Sequence, residues 1–317
     1  MVDYYTNSQP LEFLSGGLVH ISGTAFDTLL LKLRQNSATP LVRESGGSCC
    51  NTLKTLSWLG HHATFSGSVG NYKECDDSFF FKENLGAYGV KPLLSYKEGH
   101  TGRYLVVQGK KESVIAAASP AVAVDLTPQQ IDRHAMENAD LFLAEGMELD
   151  NNALWQELFF AVKRNKTPFS ICCGTKTGAE KTAVFLAKSN TERPTPSFVF
   201  SNDSEARILE ENGIDIQLAS QQKNILFVIT HGCGGSSAYL HGERISASAT
   251  PAKDLLDATG AGDVFAGVFL HSLQKTKEIN QQDVQNALHQ ASKIASKITT
   301  VPLCKVSALK GTLNSSN

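Results

Sequence analysis

The chain has 317 residues, 41% of them hydrophobic and 19% charged, with a formal net charge of −2. That is material for a large core, and the near-neutral balance excludes a protein built to sit on nucleic acid or on an anionic membrane surface. No run approaches the ~18 apolar residues of a membrane span. The opening MVDYYTNSQP lacks the basic and then apolar order of a signal peptide, so a cytoplasmic protein is expected. The seven cysteines show no C-x-x-C spacing and suggest reduced, mostly buried thiols, although the vicinal pairs Cys49-Cys50 and Cys172-Cys173 also admit redox chemistry.

Along the chain, LVHISG (18–23) predicts a strand and FDTLLLKLRQN (26–36) a helix. SCCNTLKTLSWLG (48–60) carries Leu53, Leu56 and Leu59 on one helical face, and ATFSGSVG (63–70) is again strand-like. DSFFFKENLGAYGV (77–90) predicts a helix ending at glycine. HTGRYLVVQGKKESVIAAAS (100–119) predicts a β-hairpin around Gly109, set with TPLVRESGG (39–47) as a small lid. DLFLAEG (140–146), PFSICCG (168–174), SFVFSN (197–202) and ILFVITHG (225–232) are continuous apolar runs, as parallel strands covered on both faces require. Strands alternating with helices imply βαβ crossovers. The fold class expected is α/β, a mostly parallel doubly wound sheet flanked by helices, with a small β-sheet lid. It is expected as one domain over 16–310, with lid segments at about 37–47 and 95–120 and loose tails at 1–15 and 311–317.

Ligands of such sheets bind beyond the carboxyl ends of the strands, which directs attention to Asp27, Gly46-Gly47, Asn51, Glu145, Asn202 and Thr230 to Gly235. The same holds for DLLDATGAGDVFAGVFL (254–270). There Gly260, Ala261 and Gly262 make a turn with almost no side-chain bulk, and Val264, Phe265, Val268 and Phe269 continue it as a buried helix face. Unpaired amides and the positive end of a helix dipole form a site for anionic oxygens. An aspartate beside such a site, Asp263, is at odds with a phosphate unless it faces a hydroxyl instead. Phosphoryl transfer needs both parts, charge stabilisation and a carboxylate that orients the attacking alcohol. Asp263 as a plain helix N-cap is the other reading of the same residue. CGTKTGAEKT (173–182) is no Walker A loop, and SGTAFD after the first strand excludes the G-x-G-x-x-G of a dinucleotide-binding dehydrogenase.

DLLDATGAGDVFAGVFL resembles the C-terminal signature of the ribokinase or PfkB-type carbohydrate and purine kinases. In the family's order, HISGTAFDTLL (20–30), ESGGSCCNTLKTLSWLG (44–60), VFSNDSEARIL (199–209) and VITHGCGG (228–235) are similar to its other segments. The resemblance spans about residues 18 to 300 and implies the architecture above. It implies Asp263 as catalytic base, with the turn Gly260, Ala261, Gly262 and the Asp263 amide as the anion hole. It places Asp27, Gly46, Gly47 and Asn51 on substrate hydroxyls. Arg103, from its place in the hairpin, reads either as a lid residue closing over substrate or phosphate or as an ordinary basic residue of an exposed hairpin. Asn202 and Glu205 would organise Mg²⁺ and phosphates through water, while Thr230, Gly232, Gly235 and the helix HQASKIASKI (289–298), with Ser292, would border ATP. A monovalent cation is admitted as a further cofactor.

Against the family's pattern stand Tyr72 and Cys75 in NYKECDD, the missing arginine near KKES (110–113), Ala258 where threonine is frequent, and Ser48 where ribokinases tend to carry lysine. GTAFD and LFLAEGMEL look most like the adenosine-kinase-like branch. The implied activity is transfer of the ATP γ-phosphate to a primary hydroxyl of an adenosine-like nucleoside or related sugar. The alternatives are a free-sugar kinase for ribose, fructose or a keto-sugar acid, and a non-catalytic nucleotide-sensing relative. A small-molecule substrate, no nucleic acid, no membrane, and a monomer or homodimer complete the expectation.

Overall fold

The computed structural model describes residues 1–6, 19–36, 41–71, 76–108, 113–124, 126–189, 193–252, 254–276 and 278–309. The remainder of the expected tails, Tyr72, Cys75, Gly109 and residues 110–112 lie outside the described residues. The chain divides into two compact units where the sequence reading expects a single domain. The first comprises Met1–Leu126, Ala252–Val264 and Ser296–Asn317, the second Thr127–Pro251 and Phe265–Ala295.

In the first unit the strands are β1 (Val2–Thr6), β2 (Val19–His20), β3 (Val42–Ser45), β4 (Ala63–Gly70), β5 (Val90–Lys97), β6 (Arg103–Gln108) and β7 (Ser113–Ser119). Three helices, α1 (Gly23–Asn36), α2 (Ser48–Trp58) and α3 (Asp77–Ala87), lie among them in sequence. Five strands form one sheet in the order β2-β7-β6-β1-β3, and β4 pairs with β5 in a parallel two-stranded sheet. The predicted hairpin is present, β6 running antiparallel to β7. It does not pair with the 42–45 strand, because β1 lies between them, parallel to β6 and antiparallel to β3.

Within the expected tail over 1–15, Val2–Thr6 form β1, and residues 7–15 lie outside the described residues. All five residues of β1 are buried, and Tyr4 packs with Phe26, Leu30, Phe81 and Leu105 in the core. Burying each such side chain contributes about 1.5–3 kcal/mol. The strand expected over 18–23 is cut to two exposed residues. Ser22 Oγ accepts the Ala25 amide at 3.2 Å and so starts α1 early.

The second unit carries α4 (Arg133–Glu137), β8 (Phe142–Glu145), α5 (Asn152–Asn165), β9 (Phe169–Cys172), α6 (Lys176–Ala187), β10 (Phe198–Asn202), α7 (Asp203–Glu211) and α8 (Ile216–Lys223). It continues with β11 (Leu226–Thr230), β12 (Ser236–Leu240) and β13 (Glu243–Ala247). The last helices, α9 (Ala261–Leu273) and α10 (Gln281–Ile298), contribute most of their length here. Its sheet runs β13-β12-β11-β10-β9-β8. The pairings from β8 to β11 are parallel, and β12 and β13 close the edge antiparallel. The four continuous apolar runs read from the sequence are these parallel strands. Trp155, Phe169 and Phe185 pack mutually with ring centroids 4.9–5.9 Å apart. Side-chain caps fix the helix starts: Asn151 on α5, Thr175 on α6, Asn202 on α7 and Asp215 on α8.

Five of the described cysteines are buried and Cys233 is exposed, all as free thiols. Among the described residues no helix is long and apolar enough to cross a membrane.

Candidate active site

The glycine turn opens α9 in the first unit. Gly260 has φ +75°, and a Cβ there would lie 2.4 Å from Cys304 Cβ. Its carbonyl accepts the amides of Asp263 at 3.1 Å and Val264 at 3.0 Å, as well as the Cys304 thiol at 3.5 Å. Below the turn, the Asp257 carboxylate takes the amides of Thr259 and Leu303, each at 2.9 Å. Gly260→Ala combines a left-handed φ with a clash against the buried Cys304 side chain, so it is expected to cost about 2–4 kcal/mol. A drop of several degrees in thermal unfolding temperature checks it.

Gly262 is different. It is exposed, and a Cβ built on it meets nothing within 4 Å. Nothing in the fold demands glycine there.

Asp263 is half-buried and held by α2. Ser48 Oγ donates to its Oδ1 at 2.6 Å, Asn51 Nδ2 to its Oδ2 at 2.9 Å, and Thr52 Oγ1 to its backbone carbonyl at 3.2 Å. These hydrogen bonds fix the orientation of the carboxylate. Ser48, read from the sequence as a departure, thus helps to aim Asp263. Thr52 was not anticipated, although it lies one turn after Ser48 on the same helix face.

Gly46 and Gly47 precede α2. Gly47 has φ +106°, and a Cβ on Gly46 would sit 1.8 Å from Asp3 Oδ2. Asp3 is therefore the carboxylate the structure places beside the glycine pair. Its Oδ1 is buried with no hydrogen-bond partner among the described residues, and Asn51 Oδ1 shares that condition. Burial pushes the Asp3 carboxyl up to about 7, aided by the charges of Asp263 and Glu44 and opposed by the N-terminal ammonium and Lys54. Lys54 is fully buried, donating to Ser45 O at 2.6 Å, 3.7 Å from Glu44 and 4.9 Å from the Tyr88 ring centre. Burial pushes the Cys50 and Cys304 thiols up, which leaves little reactive thiolate.

Asp27 and Arg103 are drawn elsewhere, and into each other. Asp27 lies on α1, not past a strand end. Arg103 Nη1 donates to its Oδ1 at 2.5 Å, and Nη2 donates to Gly23 O at 2.7 Å. Arg103 also stands 3.6 Å from Asp77, which accepts the Tyr4 hydroxyl. With a fully buried side chain, Arg103 is a cross-link inside the first unit and not an exposed lid arginine.

The remaining expected residues lie in the second unit. Asn202 and Glu205 form a reciprocal capping box at the start of α7: Glu205 N donates to Asn202 Oδ1 and Asn202 N to Glu205 Oε2, both at 3.0 Å. Burial raises the Glu205 carboxyl against the lowering effect of the Asn202 bonds. Thr230 ends β11, its hydroxyl 3.5 Å from Ser201 O, and Gly232 and Gly235 lie in the loop that follows, closed by His231 N to Gly235 O at 2.8 Å. Ser292 on α10 accepts the Thr250 amide at 2.8 Å. Among the described residues no three His, Cys, Asp or Glu side chains converge as a metal-ligand set.

The family model of pfkB carbohydrate kinases matches residues 26–310. A 5-dehydro-2-deoxygluconokinase from Halalkalibacterium halodurans is 26% identical over 276 residues, covering 80% of this chain and 79% of that protein. Adenosine kinase from Sinorhizobium meliloti superposes with a TM-score of 0.78 at 20% identity, over 97% of this chain and 95% of that one. Adenosine kinase from Schistosoma mansoni in complex with 2-fluoroadenosine gives 0.76 at 17% identity, over 96% and 94%. These likenesses show the ribokinase-like α/β fold. With the family model covering most of the sequence, the chain belongs to the pfkB family of carbohydrate kinases, phosphotransferases that act on a sugar or nucleoside hydroxyl.

Proposed function

We propose that the protein transfers the γ-phosphate of ATP to a primary hydroxyl of a nucleoside of the adenosine type. Asp263 is the base, and the N-terminus of α9 stabilises the transferring group, led by the Gly262 amide, since the Ala261 amide donates to Ala258 O at 3.1 Å and the Asp263 amide to Gly260 O. The observation that carries this reading is a pair of buried acceptors near Asp263, Asp3 Oδ1 and Asn51 Oδ1, left without donors among the described residues. Orphaned acceptors are costly, and ribose hydroxyls would satisfy them once the side chains covering them move aside. Asp3 takes over the role expected of Asp27, gripping the sugar beside Gly46 and Gly47.

The open space over Gly262 supports the same reading. A glycine that packing does not require is explained by an approaching phosphate. Gly262→Ala, in the first turn of α9, is expected to leave stability unchanged or raise it by up to about 1 kcal/mol, while kcat/KM falls at least ten-fold. Thermal unfolding and steady-state kinetics on the same preparation check this contrast with Gly260→Ala.

Mg²⁺ arrives with the nucleotide and keeps several waters, needing one or two carboxylates at most. Glu205, buried and committed on Oε2 to the Asn202 amide, suits contact through water rather than direct ligation. Asn202, Thr230, Gly232, Gly235 and Ser292 border the nucleotide in this proposal.

A second reading, a free-sugar kinase, is favoured by the higher identity to the 5-dehydro-2-deoxygluconokinase than to the adenosine kinases. ATP consumption measured across nucleosides, ribose, fructose and keto-sugar acids separates the two, with the phosphorylated position located by NMR. Turnover with adenosine above the free sugars is expected, and no turnover with any of them overturns both.

A further inference from the structure

The nucleotide reading above leaves His231 without a role, yet its imidazole is engaged at both ring nitrogens. Nδ1 meets the Asp203 carboxylate, and Nε2 lies 2.9 Å from Ser237 Oγ. A carboxylate only accepts, so Nδ1 carries a proton, and Nε2 shares the second hydrogen bond with the Ser237 hydroxyl. Ser237 is buried on β12, so the relay ends in the sheet and is no hydrolytic triad. The three residues come from three elements. Asp203 is the first residue of α7, directly after the Asn202 cap. His231 follows β11, and its carbonyl also accepts the Gly234 amide at 2.9 Å. One side chain therefore ties the Asn202–Glu205 box to the Thr230–Gly235 loop.

We propose that His231 is a positioning residue for the nucleotide: it fixes these two loops in a single mutual geometry and acts on the ligand through them, not by touching it. The proposal rests on ATP binding at these loops. Because the ring joins two loops that each frame the nucleotide, its loss leaves acceptor handling untouched. The effect falls on nucleotide affinity alone.

The test compares the full-length protein with His231→Ala, Asp203→Ala, the double variant and His231→Asn, whose amide nitrogen matches Nδ1 and keeps the Asp203 link. MgATP affinity is measured by titration calorimetry, with KM for MgATP, KM for the acceptor, kcat and thermal unfolding recorded alongside. The expected result is an approximately ten-fold weaker MgATP affinity in both single alanine variants with kcat within two-fold. The double variant should be no worse than either single one, and His231→Asn should recover most of the loss. Equal MgATP affinity in wild type and His231→Ala overturns the proposal while leaving the kinase reading intact. Additive losses in the double variant, or equal losses in kcat and acceptor KM, also overturn it. A wild type that binds no MgATP removes the nucleotide reading and this inference with it.

Discussion

Asp263→Asn is expected to lower kcat by about 10³-fold while MgATP affinity stays within two- to three-fold of wild type. General-base groups contribute roughly 10²–10⁴ in rate, and the amide has no basic oxygen of carboxylate strength. The substitution keeps an oxygen for Ser48 Oγ, so the α2 contact that now stands at 2.6 Å survives. It turns an amide towards Asn51 Nδ2, now 2.9 Å from Oδ2, and that bond is lost. Folding should therefore soften slightly, by about 1 kcal/mol for one hydrogen bond, far too little to explain the rate. Single-turnover phosphate transfer, measured beside nucleotide titration, separates chemistry from binding. Retention of more than a tenth of wild-type kcat would reduce Asp263 to a structural tether between α9 and α2.

The second large effect belongs to Asp3. Its carboxyl is pushed to about 7 in the folded protein, against an unfolded value of 3.8. An acid raised in this way binds more protons folded than unfolded between the two values, so stability falls as pH rises across the interval and is lowest above about 7. Asp3→Asn removes the burden. The variant is expected to match wild type near pH 4 and to exceed it at pH 8 by at most about 4 kcal/mol, three units at 1.36 kcal/mol each. Denaturant unfolding at the two pH values measures this. Activity should move the other way: loss of a charged acceptor for a substrate hydroxyl is worth about 1.5–3 kcal/mol, or 10- to 100-fold in kcat/KM. A variant that gains no stability at high pH shows that Asp3 ionises freely; one that keeps full activity shows that Asp3 does not hold the substrate.

That residue also marks where the sequence stops being legible. ATFSGSVG reads as a strand and is one over its full length, Ala63–Gly70. The Asn202–Glu205 spacing is a capping-box signature and forms one. The Gly-Gly pair, Asn51 and the 260–263 turn were legible because each places glycine or a short polar side chain at a helix start. MVDYYT offers no such mark. It is short, it follows no turn signal, and it puts a carboxylate in a core where Asp is rarely fully buried. Only the pairing of β1 with both β3 and β6 reveals it. Asp27 misleads for a related reason: it lies on a helix in the sequence reading as in the structure, but nothing local shows that Arg103, 76 residues on, binds its carboxylate. Local spacing records helix starts well. It says nothing of which distant strand slides beside them.

The turn at 260 is braced by partners some forty residues downstream, through Thr299 O to the amides of Leu256 and Asp257, Asp257 to Leu303, and Gly260 to Cys304. During synthesis this brace is missing until residues 299–304 have left the ribosome. Until then a nascent chain holds the signature glycines in sequence but lacks the partners that hold their shape.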